Sequence, residues 1–313
     1  MSAFLVRRLL QALVVLVGVS IVVFILLHLL PGGPAKAVLG LRATHVQIHE
    51  FDQRYGLLQP LPVQYLAWLN QLIHGNLGFS YKQNQSVDSL LAENIPRTLL
   101  LVGASTLLAL MIAIPLGLYQ AVRRNKPDDY AVTGLSFLFY SMPTFFLGII
   151  LIIIFSDTFP LLPSTGPTAA ETLLSQLSNL VLPVLTLTLV TLALFSRYMR
   201  SAVLENLVQD YVRTAVAKGV SRPALLFRHV LPNALLPIIT LVGLSLPGIL
   251  GGALITESLF NYPGMGLLFW NAAQTDDFPV MVGTTMVVGV AVVVGSLLAD
   301  LLYAVFDPRV RLS

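Results

Sequence analysis

Six stretches of this chain stay apolar for about 20 residues or more, the length an α-helix needs to cross the hydrocarbon layer of a membrane. They fall at residues 9–30, 98–121, 132–156, 177–199, 234–257 and 280–305. Backbone N–H and C=O groups must be paired within hydrocarbon, so each stretch is expected as a helix. The expected fold class is therefore an all-α integral membrane protein with six spans. Composition agrees, since 56% of the 313 residues are hydrophobic and 11% are charged, too few charges for an ordinary soluble surface. The stretch at 177–199 is diluted by Thr186, Thr188 and Thr191, whose hydroxyls can return to helix carbonyls.

Charge sets the expected orientation. With both termini in the cytoplasm, the inner segments collect Arg7, Arg8, Arg123, Arg124, Lys126, Arg197, Arg200, Arg213, Lys218, Arg222, Arg228, Arg309 and Arg311. The outer segments hold Lys36, Arg42, Arg54, Lys82 and Arg97. That asymmetry follows the positive-inside bias, and it accounts for the net charge of +3 without any nucleic-acid partner. The chain has no cysteine, which excludes disulfides, thiolate nucleophiles and cysteine-held metals. Arg7, Arg8, an apolar stretch and Ala35-Lys36-Ala37 imitate a secretory signal. The apolar stretch, about 22 residues, exceeds a signal core and is expected to stay as the first transmembrane helix. His28 reads as a polar residue at the end of that helix.

Three parts are expected: residues 1–30 as the N-terminal segment and first span, 31–96 as an extracytoplasmic, mainly helical insertion, and 97–313 as a core with five spans. In the insertion, Thr44 can cap a helix through Ile48 and Phe51, and Val63, Tyr65, Leu66, Trp68, Leu69 and Leu72 offer an apolar face. Leu57 to Pro62 and Gly75 to Gly78 interrupt the helical pattern. His45 and His49 share a helical face but have no third ligand at a fixed spacing, so no metal is expected. In the external loop at 260–279, Asn261-Tyr262-Pro263-Gly264-Met265-Gly266 is expected to follow a tight, nonhelical path. Asp276 and Asp277 in that loop read as solvated. Glu257 and Asp300 lie at opposite ends of the last two spans, and Asp157 and Glu171 read as external acids.

No Gly-x-x-x-x-Gly-Lys-Ser/Thr loop is present, so the chain is not expected to hydrolyse ATP itself. No nucleophile–base constellation marks an enzyme. An ion-coupled secondary transporter would need acidic residues at mid-span, and that constellation is missing.

Between the fourth and fifth spans, residues 201–232 form an inner loop whose core is DYVRTAVAKGVSRPALLFRHVLP, from Asp210 to Pro232. Tyr211 to Lys218 suit a short helix, ended by Gly219, because glycine accepts the left-handed conformation of a helix cap. Ser221 is expected to start a second helix with Pro223 in its first turn. Ala215 and Gly219, four apart, share a face and permit close backbone approach. Such an element is shaped to enter a groove, and Arg213, Lys218, Arg222 and Arg228 give it a basic surface. In the fifth span, Pro237, Gly243, Pro247, Gly248, Gly251 and Gly252 mark a candidate pathway-lining or bent helix.

Residues 210–219 resemble the Asp-Tyr-Val-Arg-Thr-Ala-x-Ala-Lys-Gly signature of permeases in the dipeptide/oligopeptide branch of binding-protein-dependent ABC importers. Against the broader Glu-Ala-Ala, three residues, Gly, nine residues, Ile-x-Leu-Pro pattern, Ala215, Gly219, Leu231 and Pro232 match, while Arg213 and Thr214 replace Glu and Ala. The likeness extends through Phe4 to Leu9, Leu30-Pro31-Gly32-Gly33-Pro34-Ala35, Gly75 to Ser80, Tyr262-Pro263-Gly264-Met265-Gly266 and Asp307-Pro308-Arg309-Val310-Arg311. Gly33 stands where these permeases commonly have Asp, and Ser296 where Asn is common.

The resemblance implies a six-span type I ABC importer permease in a bacterial or archaeal inner or plasma membrane. It implies a second, related permease, two cytoplasmic ATPases that hold ATP and Mg, and an external solute-binding protein, with no cofactor on this chain. ATPase coupling would fall to Arg213, Thr214, Ala215, Lys218, Gly219, Arg222, Leu231 and Pro232. Short peptides are the implied cargo; nickel complexes and glutathione are carried by relatives.

Overall fold

A computed structural model describes residues 2–29, 33–40, 43–167, 173–251 and 253–306 of the chain. Two compact units divide it. One takes residues up to Thr98 with Leu250–Leu254 and Pro263–Val294; the other takes Leu99–Ile249, Ile255–Tyr262 and the residues from Gly295. Among the described residues, five helices are long and apolar enough to cross a membrane: Val6–Leu29, Val87–Val122, Leu174–Leu207, Arg222–Gly243 and Phe278–Leu298.

The stretch expected as one span at 132–156 departs from a straight helix. Helix α6 (Pro127–Ser141) and the helical segment Thr144–Thr158 meet at a bend of 105°. Its cause is local. Proline disfavours the α conformation of the residue before it, and Met142, before Pro143, is extended at φ −76°, ψ 133°. Hydropathy is blind to such a break because Met and Pro leave the stretch apolar. The helix after the break, α7 (Thr144–Ile152), runs into a π-helical turn, Ile153–Thr158.

The first unit begins with helices α1 (Ser2–Leu29), α2 (Gly33–Leu39), α3 (His45–Arg54) and α4 (Leu61–Ile73). Thr44 caps α3 as a full capping box with Gln47, a pairing that satisfies two otherwise orphan N–H groups. On α3, His49 Nε2 lies 3.2 Å from Gln53 Nε2. A two-stranded antiparallel hairpin, β1 (Phe79–Ser80) and β2 (Gln85–Ser86), leads into α5 (Val87–Val122). Val87, Leu90 and Leu91 of α5 form a core with Met265, Leu268 and Ala272 of the later helix Met265–Gln274 and with Val280. At Gly283 an added Cβ would stand 2.4 Å from Val87 Cγ1, so a larger residue there would force the buried Val87 side chain to move.

The 260–279 loop contains more helix than its glycines and proline suggest. Asn261 is left-handed at φ 47° and Gly264 extended, but Met265 and Gly266 are already helical. The Met265 N–H, an orphan donor of the first turn, is taken by Thr98 Oγ1 at 2.8 Å. Asp276 is exposed as expected, whereas Asp277 is 2% exposed and accepts a hydrogen bond from the buried Ser80 hydroxyl. Ser80→Ala leaves that carboxylate short of a donor and is expected to lower stability by about 1–3 kcal/mol, read as a drop in the thermal midpoint in detergent.

In the second unit, helix α8 (Leu173–Leu207) carries Pro183. Thr186 returns its hydroxyl to the Leu182 carbonyl at 2.8 Å, while Thr188 reaches the Ser105 carbonyl on α5 at 3.3 Å. The fifth expected span, 234–257, ends early: its helix covers Leu231–Gly251, and Leu254–Leu259 is a separate helix in which Glu257 is buried. Of the sequence motifs above, Leu30-Pro31-Gly32 and Asp307 to Arg311 lie outside the described residues, as do Arg42 and Glu171.

Candidate functional site

Helix α9 (Asp210–Ala217) is short, so its ends decide whether it forms at all. Asp210 sits in the first turn, where a carboxylate complements the helix dipole, and Tyr211 donates its hydroxyl to Asn206 Oδ1 at 2.6 Å. Partial burial raises the Tyr211 phenol above its ordinary pKa, which keeps it protonated as a donor.

The carboxyl end closes with two reversed-turn bonds, Gly219 N–H to Val216 O at 2.9 Å and Val220 N–H to Ala215 O at 3.2 Å. This is the Schellman arrangement, and it places Gly219 at φ +75°. A Cβ at Gly219 would meet nothing within 4 Å, so its glycine is required by the backbone alone. Gly219→Ala is expected to cost about 1–2 kcal/mol, and Gly219→Asn less; comparison of the two thermal midpoints checks it.

The two faces of α9 differ. Val212 and Ala215 are buried in one cluster with Leu118 and Ala121 of α5 and with Met199, Ala202 and Val203 of α8. Leu225, Val230, Ala234 and Ile238 complete that cluster. Ala215 thus faces the chain's own core and Gly219 the outside, so the two do not form the shared approach surface expected from their spacing. Arg213, Thr214, Val216, Ala217 and Lys218 are exposed. Arg213 lies 3.4 Å from Asp210, with both side chains largely in solvent, a pair worth little by itself.

After Gly219 the chain turns at Ser221, extended at ψ 148°, into the short helix α10 (Arg222–Ala224) with Pro223 in its first turn. A π-helical turn, Leu225–Val230, joins it to α11 (Leu231–Gly251). There Leu231 donates its N–H to Leu226 O, five residues back. The widened turn precedes Pro232, which has no N–H to continue an α ladder. Leu231 is half-buried against the cluster, while Arg222, Pro232, Phe227 and Arg228 are exposed.

Further along α11, Pro237 is exposed and Gly243 buried. Pro247, Gly248 and Gly251 are described as helical backbone, and Gly252 lies outside the described residues.

Behind α9, a buried ion pair holds α8 to the start of α6. Asp129 accepts from Arg200 Nε at 2.9 Å, Arg200 Nη2 at 2.8 Å and the Asn125 N–H at 3.0 Å. Its carboxylate is 2% exposed. Alongside, Asp128 accepts from Tyr119 at 2.6 Å and Arg123 at 2.7 Å. Arg197, one turn before Arg200, lies over the Tyr140 ring at 5.2 Å. The sequence marks Arg200 only as an inner charge and gives no reason to single out Asp129. Pro127-Asp128-Asp129 does mark a helix start, but nothing local pairs Asp129 with a residue 71 positions away.

Among the described residues no group of three or more His, Cys, Asp or Glu could hold a metal ion. The element therefore presents a basic outer face and packs through its inner face against the ends of three long helices.

Comparison with known proteins follows the same lines. Residues 113–312 match the family described as binding-protein-dependent transport system inner membrane component. Residues 1–102 match the corresponding N-terminal membrane component family. A protein of Brucella ovis is 42% identical over 100% of each chain. The oligopeptide transport system permease protein AppB of Bacillus subtilis is 39% identical over 99% of this chain and 100% of its own. The di/tripeptide transport system permease protein DppB of Pseudomonas aeruginosa is 35% identical over 99% of each. Among solved structures, the MetNI methionine ABC transporter in inward facing conformations superposes with a TM-score of 0.54, covering 70% of this chain and 96% of that one. At 18% identity that likeness speaks for the fold alone.

Proposed function

The chain belongs to the family of binding-protein-dependent transport system inner membrane components, and from that premise we propose that it forms half of the path for short peptides in an ATP-driven importer. A related permease supplies the other half. Two cytoplasmic ATPases, which hold ATP and Mg, supply the energy, and an external solute-binding protein delivers the cargo. The chain counts six spans when the bent pair around Pro143 is taken as one, with both termini cytoplasmic and residues 31–96 as the external insertion. Peptide cargo is favoured by the AppB and DppB relatives, which align over nearly the whole chain.

The observation that carries the coupling role is the division of α9. Its outer face offers Arg213, Thr214 and Lys218, with Arg222 following, to a carboxylate-bearing groove on an ATPase. Its inner face shares a close-packed core with α5, α8 and α11. Packed interiors transmit displacement rather than absorb it, so closure of the ATPases around α9 would shift the ends of all three helices together. Ala215 positions α9 on that core, Gly219 ends it, and Leu231 and Pro232 set the start of α11. Pro237, Gly243, Pro247, Gly248, Gly251 and Gly252 are then the candidate moving or path-lining stretch.

The test is uptake of a defined short-peptide mixture into proteoliposomes holding this chain, its partner permease, the ATPases and the binding protein. Uptake that needs every component and ATP supports the reading. Gradient-driven uptake by the chain alone would overturn it.

A further inference from the structure

Helix α4 buries a polar residue and exposes large apolar ones, unlike a water-facing element, and Asn70 and Gln71 near its carboxyl end are exposed beside them. Its one buried residue is Gln64, whereas Leu66 is 63% and Ile73 74% exposed. Leu61 and Val63 are more than half exposed as well. No Asp, Glu, Lys or Arg occurs from Tyr55 to Tyr81. The preceding helix α3 is the opposite, with Glu50, Asp52 and Arg54 among its ten residues.

The inward polar groups of α4 meet α1. The Ser20 hydroxyl donates to its own helix at Val17 O, 2.8 Å away, so Tyr65 is the donor in the 2.8 Å bond between Tyr65 and Ser20. Gln64 Oε1 lies 2.9 Å from His28 Nε2, and its amide donates to Leu57 O and Gln59 O at 2.8 and 2.7 Å. Phe24 stacks at an angle with both Tyr65 and Trp68, at 5.4 and 5.7 Å.

These contacts set the depth of α4. At about 1.5 Å per residue, Phe24 lies about 7 Å and Ser20 about 13 Å inside the Leu29 end of α1. The Val6–Leu29 span is about 36 Å long by the same rise, against about 30 Å of hydrocarbon. With the span centred, about 3 Å of α1 overhangs at each end, so His28 lies at the hydrocarbon boundary, Phe24 about 4 Å and Ser20 about 10 Å below it, and α4, in contact with all three, sits at that boundary as interfacial helices do. At that boundary Gln64 and Tyr65 are satisfied on α1, the outward Leu66 and Ile73 suit acyl chains, and the exposed Asn70 and Gln71 suit the headgroup layer.

α1 to α4, the hairpin and the start of the helix Phe278–Phe306 also wall a partly open cavity of about 200 Å³, lined by Phe24, Phe51, Tyr55 and Trp68 with His28 and Gln64 among them. An apolar cavity of about 150 Å³ holds a benzene molecule, so this one has room for a short length of acyl chain.

We infer that the uncharged segment around α4 is immersed in the membrane leaflet at the Leu29 end of α1, with Leu66 and Ile73 against lipid acyl chains rather than water. On the topology proposed above this is the outer leaflet. The chain carries no cysteine of its own, so single spin labels can be placed by Leu66→Cys, Ile73→Cys and, as an aqueous reference on α3, Glu50→Cys. Each full-length variant is reconstituted in nanodiscs of phosphatidylethanolamine and phosphatidylglycerol, and relaxation by oxygen is compared with relaxation by a water-soluble nickel chelate. Immersion predicts an oxygen-to-nickel ratio several-fold higher at Leu66 and Ile73 than at Glu50. Strong nickel relaxation at both positions would place them in water and overturn the inference. Weak relaxation by both reagents would mean that protein covers the helix, and would overturn it equally. The readout requires no transport, so it stands or falls apart from the peptide-import reading.

Discussion

Replacement of Arg200 by alanine is expected to be among the most damaging single changes in the second unit. The Asp129 carboxylate, 2% exposed, would keep only the Asn125 N–H and a long contact to Thr133 at 3.5 Å. Breaking a buried pair by removing one partner costs about 3–5 kcal/mol, because the remaining charge is left without compensation. Arg200 is 26% exposed, so water entering the gap places the expected loss near the lower end, about 3 kcal/mol. Arg200→Lys should recover only part of it, since an ammonium cannot reproduce the two parallel bonds at 2.8 and 2.9 Å. The double change Asp129→Ala with Arg200→Ala should be less harmful than the sum of the single ones. Folded yield and thermal midpoints in detergent, arranged as a double-mutant cycle, read the coupling. A coupling near zero would show that the pair does not hold α8 to α6.

A larger residue at Ala215 is expected to have the greatest effect on transport. Ala215 is 6% exposed among Leu118, Ala121, Met199 and Ala202, and overfilling a well-packed core costs about 1–3 kcal/mol. The strain can be relieved by lifting α9 from the cluster, since α9 is held by few bonds outside it. Ala215→Leu should therefore leave an assembled complex whose ATPases still turn over while peptide uptake falls severely. Ala215→Gly and Ala215→Ser, which fit the space, should retain most of the uptake. The measurement is the ratio of peptide taken up to ATP hydrolysed in proteoliposomes. An unchanged ratio in Ala215→Leu would remove α9 packing from the coupling route.

The two predictions differ in how far the sequence foretold them. Gly219 announces its role locally: a helix of good formers, then glycine, then Val, is enough to write the Schellman turn found at 216–220. Ala215 was singled out by the same local pattern, but its direction was misjudged. Spacing says which residues share a helical face and is silent on which face the rest of the chain covers. The break at Met142 lay in plain view as Met-Pro, yet the hydrophobic period over-rode it, because hydropathy measures solvent preference and not backbone geometry. Asp277 looked like a loop acid beside Asp276 and is instead a buried partner of Ser80.

What the sequence alone determined is what acts within a few residues or accumulates along one helix. Span length and apolarity require helices in hydrocarbon, the asymmetry of arginine and lysine gives their expected orientation, and the run from Asp210 to Gly219 specifies a short capped helix and a family likeness. Which distant side chains meet was left to the packing of the helices: Asp129 with Arg200, Ser80 with Asp277, Tyr65 with Ser20, and Ala215 in one buried cluster with Met199. Each such meeting depends on how long helices pack across one another. That packing leaves no periodic or neighbouring mark in the chain, because a buried charge, an exposed one and a lipid-facing leucine are written with the same letters.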